Sequence, residues 1–293
     1  LIVGEGEVLF HELLCGRLPE GQRVFTREDT KGKMLDLTTA VLPDFEGLEL
    51  TFYPNMATYS SRSCPFQCTF CTETVYWGKY RKKPGKQIVK ELLHLHRTYN
   101  FQLFLMCDSL LTPVLNDLAK EFAALPETVY WDGYLRVDKH TCNIETPLLW
   151  RQGGYYRARL GVESGSQRIL DEKDKQITID QIKTSISNLA KAGIKTTTYW
   201  IIGYPGETEK EFQALLDFIE AMKFDHVGAF AYFQEQGTPA APLGDPISDE
   251  EKEERLGRLM ALQQEISLQK NQFLIGKTLD VFIEGYNEGI SVG

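Results

Sequence analysis

The stretch "YSSRSCPFQCTFC", residues 59–71, places three of the chain's six cysteines, Cys64, Cys68 and Cys71, within eight positions. It overlaps "MATYSS" (56–61), which reads as a short strand, so the cysteines occupy the loop that follows it. Five more runs read as strands: "FQLFLMC" (101–107), "VYWDGYL" (129–135), "YRARLGVE" (156–163), "IKTTTYWIIG" (194–203) and "HVGAFAYF" (226–233). Between them, "KQIVKELLHLHRTY", "PVLNDLAKEFAAL", "TIDQIKTSISNLAKAG" and "TEKEFQALLDFIEAM" carry apolar residues at three- and four-residue spacing, the mark of amphipathic helices. Thr178 and Asp180 suit a helix start and Gly193 a helix stop.

Parallel strands need long crossovers, and six β/α units joined by right-handed ones curve into an open barrel. The expected fold class is α/β, an open (β/α)6 partial TIM barrel followed by a C-terminal helix and the start of a truncated β domain. Functional groups in such sheets collect at the C-terminal ends of the strands. There stand the cysteine cluster, Asp108 with Ser109, Glu163 with Ser164, and "GYPGET".

At 293 residues and 42% hydrophobic, the chain is long enough for one large α/β core. Its net charge of −9, with both signs interspersed, argues against a broad phosphate-binding face. No run approaches the length of a membrane helix, and no leader pattern opens the chain, so a soluble cytoplasmic protein is expected. Residue 1 is Leu, and "LIVGEGEVLFHELLCG" reads as a strand and helix cut from something longer.

After Gly237, "GTPAAPLGDP" is irregular in character, and Ser248 opens a long helix closed by Gly276. Its apolar positions Leu256, Leu259, Met260, Ile266 and Leu268 need a surface to cover, while "DEEKEER" reads as a solvated face. "KTLDVFIEG" reads as a new strand, whose residues 278–284 must pair with a neighbouring edge or move, and movement is expected. His94 and His96 are expected on a helix surface, and His140 and Cys142 in a structural loop.

Three clustered thiols without a fourth argue against structural zinc, which takes four ligands; Cys15, Cys107 and Cys142 stand alone. A cubane iron–sulfur cluster on three thiolates keeps one iron open for another ligand.

The spacing C-x3-C-x2-C, with Phe70 before the last cysteine, resembles the signature of radical S-adenosylmethionine (SAM) enzymes. The resemblance implies that Cys64, Cys68 and Cys71 hold a 4Fe-4S cluster whose free iron is chelated by SAM. An electron from the cluster then cleaves the sulfonium, and a 5'-deoxyadenosyl radical abstracts hydrogen from an unactivated position. "GVESGSQRIL" resembles the family's fourth-strand segment, which makes Glu163 and Ser164 candidates for the ribose and the methionine carboxylate. "IIGYPGET" resembles the fifth-strand segment, where backbone at Gly203 and Gly206 approaches the cofactor. Phe70 is expected near the adenine, and Asp108 and Ser109 near cofactor or substrate. No residue is assigned as catalytic in its own right.

Residues 1–206, with "VGEGE", "LPDFEGL", "YWGKYRKKP" and "TTTYWIIGYPGET", resemble radical SAM proteins whose barrel follows a cobalamin-binding domain. Ser63 departs from the glycine usual before the first cysteine. Residues 207–293 resemble the methylthiotransferases that modify a ribosomal-protein aspartate or a tRNA adenosine. The domain reading is therefore residues 1–46 as the tail of an upstream, cobalamin-type domain and linker, 47–237 as the radical SAM barrel, 238–275 as linker and helix, and 276–293 as the start of a TRAM-like β domain. Methyl transfer to an unactivated carbon is the first functional expectation, methylthio transfer to a ribosomal protein or tRNA the second, and a non-enzymatic metal-bearing module docking RNA or protein the third. The implied cofactors are a 4Fe-4S cluster, SAM and, through an upstream domain, cobalamin. The implied partners are a reductant such as flavodoxin or ferredoxin and a small-molecule, ribosomal-protein or tRNA substrate, with no membrane.

Overall fold

Each of the six apolar runs forms a strand in the computed structural model, which describes residues 1–127, 129–279, 285–287 and 290–292. The chain opens with α1 (Glu7–Leu14) and enters the sheet at β1 (Met56–Thr58). A hairpin follows, β2 (Ser61–Arg62) with β3 (Arg81–Lys82), carrying the cysteines and the short α2 (Glu73–Trp77) between its strands. Then come α3 (Gly85–Tyr99), β4 (Leu103–Met106), α4 (Thr112–Ala123), β5 (Tyr130–Arg136), α5 (Glu145–Gln152) and β6 (Tyr155–Glu163). The series ends with α6 (Gln167–Glu172), α7 (Ile179–Lys191), β7 (Lys195–Ile202), α8 (Glu209–Met222), β8 (His226–Ala231) and α9 (Asp249–Leu274).

The six barrel strands lie in the order β1-β4-β5-β6-β7-β8, every neighbouring pair parallel, as an open β/α sheet requires. Period-two alternation divides each strand between two environments. In β6, Ala158, Leu160 and Val162 are buried toward the helices, while Arg157, Arg159, Gly161 and Glu163 take the opposite face. The same rule puts Asp132, Tyr134 and Arg136 of β5 and Tyr199 and Ile201 of β7 on that inner face. Between sheet and helices lies the core, with Trp131, Trp150 and Trp200 fully buried. Their ring N–H groups donate to Gly153 O, Asn116 Oδ1 and Thr198 Oγ1, so none is stranded away from water.

Helix starts follow the sequence where a side chain can cap. Thr178 and Gln181 form a reciprocal capping box on α7, and the Ser248 hydroxyl accepts from the Glu251 N–H on α9. The three short helices α2, α5 and α6 were not expected, being too brief to show a period. His94 is exposed and His96 Nδ1 lies 2.7 Å from Phe101 O, capping the end of α3. Cys142 packs on Ser185 in the loop before α5.

Among the ties between the residues before β1 and the barrel is a buried carboxylate. Glu5 accepts from Arg62 (2.5 Å) and Arg81 (2.9 Å), both on the β2–β3 hairpin, and from the Leu35 N–H. At the other end α9 covers β8 with a stripe of Lys252, Arg255, Leu259, Gln263 and Ile266. Leu259 and Ile266 are buried as expected, but Leu268 is 58% exposed, a correction. The stripe advances by three- and four-residue steps, and Leu268 falls off it. Of the expected strand at residues 278–284, positions 280–284 lie outside the described residues, and 278 and 279 are not strand. β9 (Gly285–Asn287) pairs antiparallel with β10 (Ile290–Val292).

The polar members of the stripe join α9 to the loop after β7. Arg255 meets Glu207 at 3.1 Å, each side chain at most 3% exposed, and Glu207 in turn accepts from the Gly203 N–H at 2.9 Å. Removing one partner of such a pair strands the other charge. Arg255→Met should therefore destabilise the protein by about 3 kcal/mol in a urea titration. Adding Glu207→Gln to that variant should restore much of the loss, because the stranded carboxylate is then neutral.

Candidate active site

The cysteine loop takes its shape from what anchors it. Asp108, at the end of β4, is 1% exposed, and its carboxylate accepts from the Ser60 N–H (3.0 Å), the Ser60 hydroxyl (2.6 Å) and the Ser61 hydroxyl (2.5 Å). Those bonds hold the chain where it leaves β1. Ser63 then adopts φ +70°, the left-handed region that favours glycine, and its hydroxyl donates to Gly78 O at 2.6 Å. Further on, the Thr69 N–H donates to Lys173 O and Thr69 O accepts from the Ala240 N–H, at 3.0 and 2.9 Å.

Cys64, Cys68 and Cys71 line one cavity of about 440 Å³ at the C-terminal mouth of the sheet. All three are free thiols of intermediate burial. Burial raises the Cys64 thiol pKa and pushes Cys71 up to about 11, so both sulfurs sit where a thiolate needs a cation. Among the described residues no three His, Cys, Asp or Glu side chains surround a single point as a mononuclear metal demands. A cubane asks for something different, since each thiolate binds its own iron. The donor set fits such a cluster better than zinc.

Facing the thiols across the cavity are Glu163 and Lys175, joined at 2.9 Å. Glu163 has φ +74°, a conformation costly for a non-glycine residue. The Lys173 ammonium holds it there, donating to Glu163 O at 2.8 Å and to Ile201 O at 3.3 Å. A Cβ on Gly161 would lie 2.6 Å from Glu163 Oε1 and 3.3 Å from Lys175 Nζ, so the glycine makes room for the pair. Lys173 itself is fully buried, and desolvation lowers its pKa to about 8.

Arg136, the last residue of β5, also reaches the cavity. Its Nη1 donates to Cys68 Sγ at 3.3 Å, and its guanidinium stacks 4.0 Å from the Phe66 ring centre. Tyr134, Tyr199 and Phe230 continue the wall as a row of rings from β5, β7 and β8, with centres 5.7 and 6.1 Å apart. Glu73, Ser109, Phe233 and Glu235 complete it.

Of the residues singled out from sequence, the three cysteines, Phe70, Ser109 and Glu163 line this cavity. Phe70 packs beside Tyr204 and Tyr232, and the Ser109 hydroxyl donates to Glu73. The other four are employed elsewhere. Asp108 faces the Ser60–Ser61 turn. The Ser164 hydroxyl accepts from the Ser166 N–H at 3.1 Å and caps a turn. A Cβ on Gly203 would meet Lys252 Cγ at 2.6 Å, so the close approach its φ of +79° permits is to α9. Gly206, at φ +86°, turns the chain beside Arg168, whose Nη2 donates to its carbonyl at 2.6 Å. Sequence reasoning missed Arg136, Lys175 and Lys173. Arg136 had a readable signal, since Asp132, Tyr134 and Arg136 alternate onto the inner face of one strand and Arg136 ends it.

The site is thus a thiol loop directly after the first strand of a β/α barrel opened along one side. The profile of the radical SAM superfamily matches residues 58–219, more than half of the chain, and the protein belongs to that superfamily as a radical SAM enzyme. Members of the superfamily bind a 4Fe-4S cluster and SAM. The chain is 31% identical over 233 residues to the ribosomal protein uS12 methylthiotransferase RimO of Carboxydothermus hydrogenoformans, covering 75% of this chain and 53% of the relative. It thus spans about half the length of the curated relatives it matches. Among solved structures it resembles the radical SAM methyltransferase TsrM of Kitasatospora setae (TM-score 0.61, 17% identity, 68% of this chain and 39% of that one). It also resembles the cobalamin-dependent radical enzyme OxsB (TM-score 0.63, 16% identity, 89% and 40%). Both likenesses are of fold. Among the described residues no helix is long and apolar enough to cross a membrane.

Lys173 supplies a test of the site's dryness. Between pH about 8 and 10.5 the unfolded chain still holds the proton that the folded chain has released, so this lysine makes stability rise with pH across that window. The difference in unfolding free energy between wild type and Lys173→Met, followed by urea titration, should climb over those values. A flat difference would place the ammonium in contact with water.

Proposed function

We propose that this chain is the catalytic barrel of a cytoplasmic radical SAM enzyme that attaches a group, a methyl in the first reading, to an unactivated carbon. What carries the reading is the convergence of Cys64, Cys68 and Cys71 with the Glu163–Lys175 pair on one cavity. The three thiols are the proposed ligands of the cluster, which when bound supplies the electron for reductive cleavage of SAM and draws it from a small reductant such as flavodoxin or ferredoxin.

The chain's own side chains then have distinct tasks. The Glu163 carboxylate and the Lys175 ammonium present opposite charges side by side, suited to the zwitterionic and hydroxyl-bearing parts of SAM. Lys173 keeps the Glu163 turn from relaxing. Phe70 offers a partly buried ring for an adenine face, and the row Tyr134, Tyr199 and Phe230 walls water out of the side where a substrate carbon must approach. Excluding water matters because a carbon radical is indiscriminate. Ser109 joins the wall through Glu73, while Asp108, Ser164, Gly203 and Gly206 shape the loops that carry these groups.

A second reading is methylthio transfer to a ribosomal protein or tRNA. The observation favouring it is the likeness to methylthiotransferases at 28–33% identity across 75–80% of the chain. The upstream cobalamin-type domain belongs with the first reading and the TRAM-like segment at residues 276–293 with the second. Mass spectrometry of the modified substrate separates them, since a methylthio group adds a sulfur that a methyl group does not.

The cluster is tested directly. After anaerobic reconstitution, Cys64→Ala, Cys68→Ala and Cys71→Ala should each lose the visible iron–sulfur absorbance and all formation of 5'-deoxyadenosine. The corresponding changes at Cys15, Cys107 and Cys142 should keep both. An intact cluster in Cys68→Ala would sink the assignment.

Glu163→Ala should retain the cluster and weaken SAM binding by about 1–3 kcal/mol, read by equilibrium dialysis. Unchanged binding would leave Glu163 a structural turn.

A further inference from the structure

Buried cations among the described residues are compensated in ways that can be read off the structure, with one exception. Lys83 meets Glu91 at 2.6 Å, Lys252 meets Asp245 at 2.5 Å and Arg255 meets Glu207 at 3.1 Å. Lys173 has no carboxylate within ion-pair reach among the described residues but gives its N–H bonds to two carbonyls, and it can shed its proton. Arg136 is 5% exposed, and among the described residues no carboxylate lies within ion-pair reach of it. A guanidinium does not deprotonate, so the lysine's escape is closed to it. Its Nη2 has no hydrogen-bond partner among the described residues, and its Nη1 donates to the sulfur of Cys68 at 3.3 Å. The Phe66 face, 4.0 Å away, fixes the plane of the fork.

An uncompensated charge so deeply placed is strongly disfavoured, and the structure must contain it for a reason. The anion it lacks is the one that Cys68 would help to carry. An iron–sulfur cluster on thiolate ligands becomes more negative on reduction, and its potential responds to nearby charge and to hydrogen bonds on its sulfurs.

We infer that Arg136 is the counter-ion of the cluster: its Nη1–H bond to Cys68 Sγ and its fixed positive charge favour the reduced state and so raise the reduction potential. This rests on the cluster assignment above. Arg136 is a positioning residue, acting through Cys68 on the group that accepts the electron. It decides which reductants are strong enough to charge the site, a property separate from substrate choice.

The experiment is a spectroscopic redox titration of the anaerobically reconstituted full chain, with iron measured alongside. Arg136→Gln should retain iron and shift the midpoint down by about 59 mV or more, a tenfold loss in the ratio of reduced to oxidised cluster at a fixed potential for one electron. Arg136→Lys keeps the charge without the fork and should fall between that variant and wild type. Cys107→Ala, whose thiol is not among the residues lining the cavity, should titrate as wild type.

Arg136→Gln with full iron and an unchanged midpoint overturns the inference. Should Arg136→Gln fold but hold no cluster, Arg136→Lys decides: cluster binding in it supports the counter-ion, and a folded Arg136→Lys without cluster overturns it. A wild-type chain that takes up no cluster overturns the functional reading itself, an outcome distinguishable from all of these by its iron content.

Discussion

The carboxylate of Asp108 is the constraint on which the candidate site depends. A fully buried acid must be either neutral or saturated with donors, and desolvation pushes its pKa up while the Ser60 and Ser61 donors pull it down. By satisfying those donors it fixes the turn that leaves β1, and the turn fixes where the thiol loop begins. From there Ser63 reverses the chain and Thr69 is held by backbone on both sides. The loop carrying Cys64, Cys68 and Cys71 is thus positioned by groups that touch none of the sulfurs.

Charge inside the barrel follows from the same scarcity of water. Arg157 and Arg159 share Asp132 at 2.6 and 2.9 Å, and Arg159 Nη1 reaches the Tyr199 hydroxyl at 3.4 Å. Behind the mouth, then, the strands carry a compensated network that stiffens the aromatic wall from beneath. At the mouth the balance is incomplete at Arg136, which has only the Cys68 sulfur and the Phe66 ring beside it, while Lys175 is paired with Glu163. The protein concentrates its unsettled electrostatics where a charged cofactor would arrive.

The architecture was legible because strand runs, helical periods and crossover length all describe the backbone, and each was present in unbroken stretches. The cysteines were legible because their function is local in sequence. The partners of Asp108 were not legible, because the serines that saturate it lie 47 and 48 residues earlier. The neighbour of Gly203 was illegible for a related reason. Glycine announces a close approach but not to what, and here the neighbour is Lys252 from α9. Lys175 was invisible because only the fold brings it back, 12 residues later, to the carboxylate of Glu163.

Thr69 accepts its backbone hydrogen bond from Ala240, so the thiol loop is sealed by a residue made long after it. At ordinary synthesis rates that interval is on the order of ten seconds. Late in it the cysteines are outside the ribosome while Phe230, Phe233 and Glu235 of the wall are only just being made, and contacts of such long sequence separation are slow to form. Maturation therefore has an order in time. Any insertion of metal that needs the finished pocket waits for the last barrel strand, and a nascent chain stalled before Ala240 would present its thiols to oxidant with their cavity still open.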